Sequence, residues 1–187
     1  MAIQINGNGT ITGLSAGGLP AGTVTSATLA SGVGGKVLQT QHMSTTTDAT
    51  NNDHNAWVDS GLTQAITMTN ASNKVLVMVN LYVYISCSGS SEIGAYAKIL
   101  RGSTALGDSG GIAAHFPLNT GGGDDAQAMI PLQFYDTPGA GTHTYKVQAG
   151  NPYDSSYWIH INYTHSDDDY SYTGRGASSF TVQEVLP

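Results

Sequence analysis

The side chains best suited to acid–base or cation chemistry are two groups of aspartates. Asp167, Asp168 and Asp169 stand together in HSDDDYSY, and Asp124 and Asp125 form a separate pair. Hydrolysis of a glycan needs two carboxylates facing each other at about 5–9.5 Å, but neighbouring residues of a strand point to opposite faces. A calcium ion needs about six to eight oxygen ligands, and the spaced D-x-D-x-D-G pattern is missing from the sequence. We therefore expect a solvated loop, with a hard-cation site as the alternative and catalysis least favoured.

The histidines and the single cysteine are the remaining candidate metal ligands. No two histidines have the H-x-x-x-H spacing of a helical site, and Cys87 has no partner at zinc-ligand spacing. In WIHINY, period-two alternation places His160 on one face with Trp158 and Asn162, opposite Tyr157. We predict ordinary strand histidines and no metal, although a three-fold axis would bring three copies of one histidine together. The six histidines are His42, His54, His115, His143, His160 and His165.

The sequence also lacks the helical context that motifs for nucleophilic catalysis and phosphate binding require. There is no G-x-S-x-G elbow on a strand-to-helix turn, because no segment has the helical periodicity to carry one. The glycine clusters GVGG, SGG and TGGGDD lack the lysine and the following helix of a phosphate loop. We therefore expect no enzyme activity and no cofactor.

Composition excludes two classes of partner. The 187-residue chain has a net charge of −7 and only six lysines and arginines, too few for the basic footprint of a nucleic-acid-binding protein. The longest apolar run, VLVMVNLYVYI, is shorter than the roughly 20 residues that span a membrane and contains Asn80. No basic and apolar leader of a signal peptide stands at the start. We expect neither a nucleic-acid nor a membrane partner.

The segment NPYDSSYWIHINYTHSDDDYSYTG, residues 151–174, is rich in tyrosine and contains one of the two tryptophans. Rigid amphipathic aromatic side chains are common at protein interfaces, and they also stack against sugar rings. Core or subunit packing is one interpretation, and a ligand-binding patch is the other. The candidate residues are Tyr153, Tyr157, Trp158, Tyr163, Asp168, Tyr170 and Tyr172.

The elements that must position these side chains are short strands. β-Branched and aromatic runs recur between clusters of Gly, Asn, Asp and Ser, which predicts an all-β antiparallel jelly-roll sandwich of about eight or nine strands. The run VLVMVNLYVYI is nearly continuous, so one side should face the sandwich core and the other a subunit interface. The predicted strands are 36–43, 62–69, 74–87, 94–101, 111–118, 126–135, 142–149, 157–164 and 178–186.

Residues 1–35 contain no charged side chain and too few apolar ones for a core of their own. Burial there could not offset the backbone entropy of about 1–2 kcal/mol per residue. We predict two parts, an extended attachment arm at 1–35 that other chains hold, and a jelly-roll knob at 36–187. The candidate anchors of the arm are Ile3, Ile5, Ile11, Leu14, Leu19, Val24 and Leu29.

Several segments resemble one class of viral protein. INGNGTITGLSAGGLP is similar to the start of tail-fibre-like and virion structural proteins of aquatic tailed phages, of the cyanophage type. GKVLQTQ, VDSGLTQAITMTNASNKVLVMV, YDTPGAGTHTYKVQA and GASSFTVQEV resemble successive segments of their knob domain. Such knobs are similar to the jelly roll of complement and tumour-necrosis-factor proteins. The resemblance implies a parallel homotrimer on the outer surface of the capsid or tail, without catalysis.

The single linker copy GTVTSATLASG distinguishes between two virion roles. Fully extended, 35 residues reach at most ~115 Å at about 3.3 Å each, enough to cross neighbouring capsid subunits but too little for a long shaft. We therefore favour a homotrimeric capsid decoration (cement) protein whose arm binds the major capsid protein or another virion protein. The alternative is a short tail fibre, or receptor-binding knob, that recognises host-surface glycans.

Overall fold

The computed structural model describes residues 4–5, 11–12, 36–53, 56–87, 92–107, 114–119, 126–151, 157–163 and 175–187. The chain divides into two compact units, Met1–Lys36 and Val37–Pro187. In the first unit, β1 (Gln4–Ile5) pairs antiparallel with β2 (Ile11–Thr12), Ile5 opposite Ile11. Two short segments of the predicted arm therefore pair with each other.

The described strands of the second unit form two antiparallel sheets. The six-stranded sheet contains β3 (Val37–Thr45), β4 (Ala49–Asn51), β6 (Lys74–Cys87), β10 (Ala126–Asp136), β12 (Tyr157–Ile161) and β13 (Ser178–Val185). The five-stranded sheet contains β5 (Trp57–Met68), β7 (Glu92–Arg101), β8 (Thr104–Leu106), β9 (Ala114–Asn119) and β11 (Gly141–Gly150).

The strand order is that of a jelly roll. β6 is central in its sheet, with β10 along one side and β13, then β3, along the other. In the second sheet, β11 lies between β5 and β7, and β9 pairs with β7. Numbered along the chain, the eight longest strands have the orders 1-8-3-6 and 2-7-4-5, as two Greek keys require. The predicted fold class is confirmed.

All nine predicted strands are present, and 74–87 has the predicted bounds. The sequence analysis missed β4 and β8, which have three residues each, because so short a run shows no alternation. As predicted, one side of β6 faces the core of the sandwich. Its six inward side chains, at alternate positions from Val75 to Ile85, are buried in the core between the sheets.

A buried carboxylate connects three segments at one end of the sandwich. Glu184 on β13 is fully buried, and Gln39 Nε2 on β3 donates a hydrogen bond of 2.7 Å to its Oε2. After β5, the backbone N–H and hydroxyl of Thr69 each donate to Oε1 at 2.8 Å, and Asn73 Nδ2 donates to it at 2.7 Å. Burial by itself raises the pKa of Glu184, but these hydrogen bonds together outweigh it and hold the pKa at about 2.

A second polar cluster joins the two sheets at the same end. Asp136, the last residue of β10, accepts hydrogen bonds at Oδ2 from Tyr145 Oη at 2.7 Å and Arg101 Nη1 at 2.6 Å. The Thr137 N–H donates to its other oxygen at 2.8 Å. Burial raises the pKa of the Tyr145 phenol, and the adjacent Asp136 raises it further. Tyr145 therefore remains a hydrogen-bond donor throughout the physiological pH range.

Candidate assembly surface

The outer face of the six-stranded sheet carries three aligned rows of side chains. They stand opposite the core-facing residues of β10, β6, β13 and β3, and the strand registers place them side by side. We call these twelve residues the β10–β3 surface. From β10 to β3, the rows are Tyr135–Leu76–Gln183–Thr40, Gln133–Met78–Thr181–His42 and Pro131–Asn80–Ser179–Ser44.

The β10–β3 surface contains no aspartate, glutamate, lysine or arginine. Tyr135 is 54% exposed, while Leu76 and Met78 beside it are half-buried. In the next row, Met129 is 45% exposed and stands opposite Tyr82. Depletion of charge together with exposed Met and Tyr is the composition of a protein–protein interface core. This is the side of β6 that the sequence predicts to face another subunit.

Polar side chains of this surface are hydrogen-bonded to one another. The ring Nδ1 of His42 lies 2.8 Å from Thr181 Oγ1, and Gln183 Nε2 donates to Thr40 Oγ1 at 3.3 Å. A polar group costs less to bury when it already has a hydrogen-bond partner. Covering this surface with another chain therefore carries a smaller desolvation penalty than its serines, threonines and glutamines alone suggest.

The same face continues into a cluster of aromatic rings around His160 on β12. The His160 ring is buried, stacked against Trp158 at 6.1 Å and edge-on to Tyr163 at 4.7 Å between centroids. Its Nδ1 lies 3.3 Å from Thr50 Oγ1 on β4. Tyr157 points to the other side and is buried in the core. The predicted alternation is confirmed from Tyr157 to Ile161, where β12 ends. It does not extend to Asn162, whose φ is 63°.

The candidate residues of segment 151–174 have different surroundings. Trp158 is 41% exposed and Tyr163 is half-buried, and both contact His160. Tyr157 lies on the opposite face of the strand and is buried in the core, which is one of the two interpretations that the sequence allowed. The remaining candidates lie outside the described residues: Tyr153, Asp168, Tyr170 and Tyr172.

The other candidates fall largely outside the described ranges. Ile5 and Ile11 are paired through their backbones, whereas Ile3, Leu14, Leu19, Val24 and Leu29 lie outside the description, as do both aspartate groups. Among the residues that the structure describes, no three His, Cys, Asp or Glu side chains are grouped as metal ligands. No helix in these ranges is long and apolar enough to cross a membrane.

Sequence analysis missed a second aromatic group, formed by Trp57 and Tyr96 on the outer face of the five-stranded sheet. A local signal was present, because Trp57 and Asp59, like Tyr96 and Lys98, are two residues apart and share a face of their strand. That the two pairs are neighbours depends on the strand register, which the sequence does not reveal.

No family model and no curated protein matches the chain. Among solved structures, it is similar to that of infectious bursal disease virus, Gx strain, with 10% identity and a TM-score of 0.35 over 81% of this chain. A mutant VP2 protein of the same virus in T=1 particles gives 11% identity and a TM-score of 0.33 over 81% of this chain. A CocE/NonD-family hydrolase of Staphylococcus aureus has 11% identity and a TM-score of 0.28 over 82% of this chain.

The chain spans 43%, 41% and 34% of the lengths of those three structures, respectively. The first two are therefore viral particle proteins much longer than this chain.

Proposed function

We propose that this protein is a non-enzymatic structural component of a tailed-phage virion, and specifically a homotrimeric capsid decoration protein. The observation that carries the proposal is the charge-free β10–β3 surface. Twelve aligned positions without a formal charge, in a chain of net charge −7, favour burial against further copies of the same knob. The trimer and the virion location follow from the resemblance of the sequence segments.

In this proposal, the knob supplies the assembly and residues 1–35 supply the attachment. Three knobs bury their β10–β3 surfaces against one another, so three arms leave each trimer. After one arm has bound the capsid, the other two bind at a high effective concentration, which raises the avidity without any new type of contact. The trimer then bridges capsid subunits non-covalently and resists internal pressure.

The copy number in purified virions tests the decoration role. Quantitative mass spectrometry should find many tens of copies per particle, in a fixed ratio to the major capsid protein. A dozen copies or fewer would overturn decoration. Particles stripped of the protein should also release their genome at lower temperature, because the added subunit contacts are lost.

The second candidate function is a receptor-binding knob on a short tail fibre, which binds host-surface glycans. The exposed ring of Trp158, which like Tyr163 contacts His160, favours this candidate because such rings stack against sugars. The purified trimer should then bind host cells and block infection in competition. A trimer that does neither would exclude this role.

A further inference from the structure

A row of three residues on the outer face of the five-stranded sheet forms an aromatic platform. Trp57 on β5 and Tyr96 on β7 are both register partners of Gly150 on β11, which lies between them. A Cβ at Gly150 would lie 2.9 Å from Trp57 Cε3, closer than real Cβ atoms come. The indole therefore lies directly over the glycine, with its centroid 6.3 Å from that of Tyr96 at an interplanar angle of 30°.

The next row on the same face is polar. Gln148 on β11 is the register partner of both Asp59 on β5 and Lys98 on β7. Gln148 Nε2 donates to Asp59 Oδ1 at 2.6 Å, and Lys146 Nζ lies 3.1 and 3.3 Å from the two carboxylate oxygens. The Gln148 hydrogen bond is the main cause that lowers the pKa of Asp59. Asp59 is therefore an ionised carboxylate already paired with Lys146.

Lys98 has a different position. Its ammonium lies 3.8 Å from the centroid of the Trp57 indole, and within the described ranges it forms no ion pair. Burial, and then repulsion from Lys146, lowers the pKa of Lys98. Within the described part of the chain, two of the six basic side chains of an acidic protein thus stand beside one carboxylate. An anion placed on the platform would balance the excess positive charge.

We propose that Trp57, Tyr96, Lys98 and Gln148 form a binding site for an acidic saccharide. The apolar C–H face of a sugar ring packs on the indole, and its carboxylate or sulfate accepts a charge-assisted hydrogen bond from Lys98. The Gln148 amide and the Asp59 carboxylate provide partners for ring hydroxyls. The flexible four-carbon side chain of Lys98 can leave the ring while its ammonium stays beside the ligand.

This site goes beyond the decoration role and does not depend on it. It lies on the opposite sheet from the β10–β3 surface, so a trimer built through that surface leaves the platform on its outside. The virion copy number tests the decoration role, and saccharide binding in solution tests the site. Either can fail without the other.

Tryptophan fluorescence measures binding directly. Trp57 is the only tryptophan in the Trp158→Phe variant of the full chain, so its emission reports on the platform. We expect a saturable change in emission with oligogalacturonate, which carries carboxylates, or with a carrageenan oligosaccharide, which carries sulfates. The two probes distinguish the sources of the negative charge. Neutral maltohexaose should bind at least tenfold more weakly.

Matched lysine variants locate the site. Lys98→Met should weaken the affinity at least tenfold. Lys74→Met is the control, because Lys74 bonds Thr137 instead of lying on an aromatic ring, and it should leave the affinity unchanged. If Lys98→Met does not fold, Gln148→Glu is the second test. It places a carboxylate beside Lys98 and should abolish binding. No saturable signal with either acidic probe would overturn the proposal, as would equal binding of maltohexaose or undiminished affinity in a folded Lys98 or Gln148 variant.

Discussion

Glu184 Oε1 accepts a hydrogen bond of 2.7 Å from Asn73 Nδ2 while the glutamate side chain is fully buried. Among the described residues, the donors to this carboxylate are two neutral side-chain amides, a hydroxyl and a backbone N–H. A buried negative charge is stable there because four donors hydrogen-bond to its oxygens, three to Oε1 and one to Oε2. The turn after β5 and the two strands β3 and β13 are therefore held by one ionised group.

This arrangement predicts a specific acid sensitivity. The pKa of Glu184 is about 2 in the folded protein and 4.5 in its ordinary state, so its contribution is complete above about pH 4.5 and is lost as the pH falls to about 2. The loss amounts to roughly 3 kcal/mol of the free energy of unfolding. Urea unfolding between pH 7 and pH 2 measures it.

Glu184→Gln tests the assignment. It should lower the free energy of unfolding at pH 7 and remove most of the decline between pH 4.5 and pH 2. Asp48→Asn, at an exposed position, is the control. It should keep the free energy of unfolding at pH 7 and its decline between pH 4.5 and pH 2. An unchanged pH profile in Glu184→Gln would show that other groups cause the acid sensitivity.

The cluster at Asp136 predicts coupled losses of stability. Tyr145→Phe removes a hydrogen bond to Oδ2 within the core and should cost about 1–2 kcal/mol. Arg101→Met removes the other donor to the same atom. Because the two donors share one oxygen, the effects in a double-mutant cycle should not add. Additive effects, measured by urea denaturation, would show that the cluster does not act as a unit.

The close packing of Gly176 against Tyr82 predicts a steric clash in Gly176→Ala that a smaller side chain at position 82 relieves. A Cβ at Gly176 would run directly into the Tyr82 ring, so Gly176→Ala should displace the segment and cost about 1–3 kcal/mol. Tyr82→Ser removes the ring. The double variant should therefore lose less than the sum of the two single losses. A thermally unaffected Gly176→Ala protein would contradict this packing.

Deletion of residues 1–35 tests the arm as the attachment element. The remaining chain contains both sheets and the described core, so it should fold and keep its oligomeric state. It should fail to bind virions stripped of the native protein, in a co-sedimentation assay. Binding at the level of the full chain would refute the arm as anchor.

Fold and site differ in how far the sequence predicts them. The alternation of β6 and of Tyr157–Ile161 could be predicted, because it depends only on neighbouring residues. The Glu184 network was not, since its partners Gln39, Thr69 and Asn73 are 145, 115 and 111 residues away in the chain. The rows of the β10–β3 surface likewise exist only through the registers of β10, β6, β13 and β3, although the apolar run of β6 indicated which strand is covered.

Sedimentation equilibrium tests whether the β10–β3 surface joins the subunits of a trimer. The wild-type protein should have three times the 19.4 kDa mass of the chain. Met78→Glu, in the middle row of the surface, should give a folded species of one chain mass. Thr144→Lys, at an exposed position of the other sheet, should remain trimeric. A monomeric wild type would exclude the trimer, and a Met78→Glu protein that is still trimeric would exclude this surface as its interface.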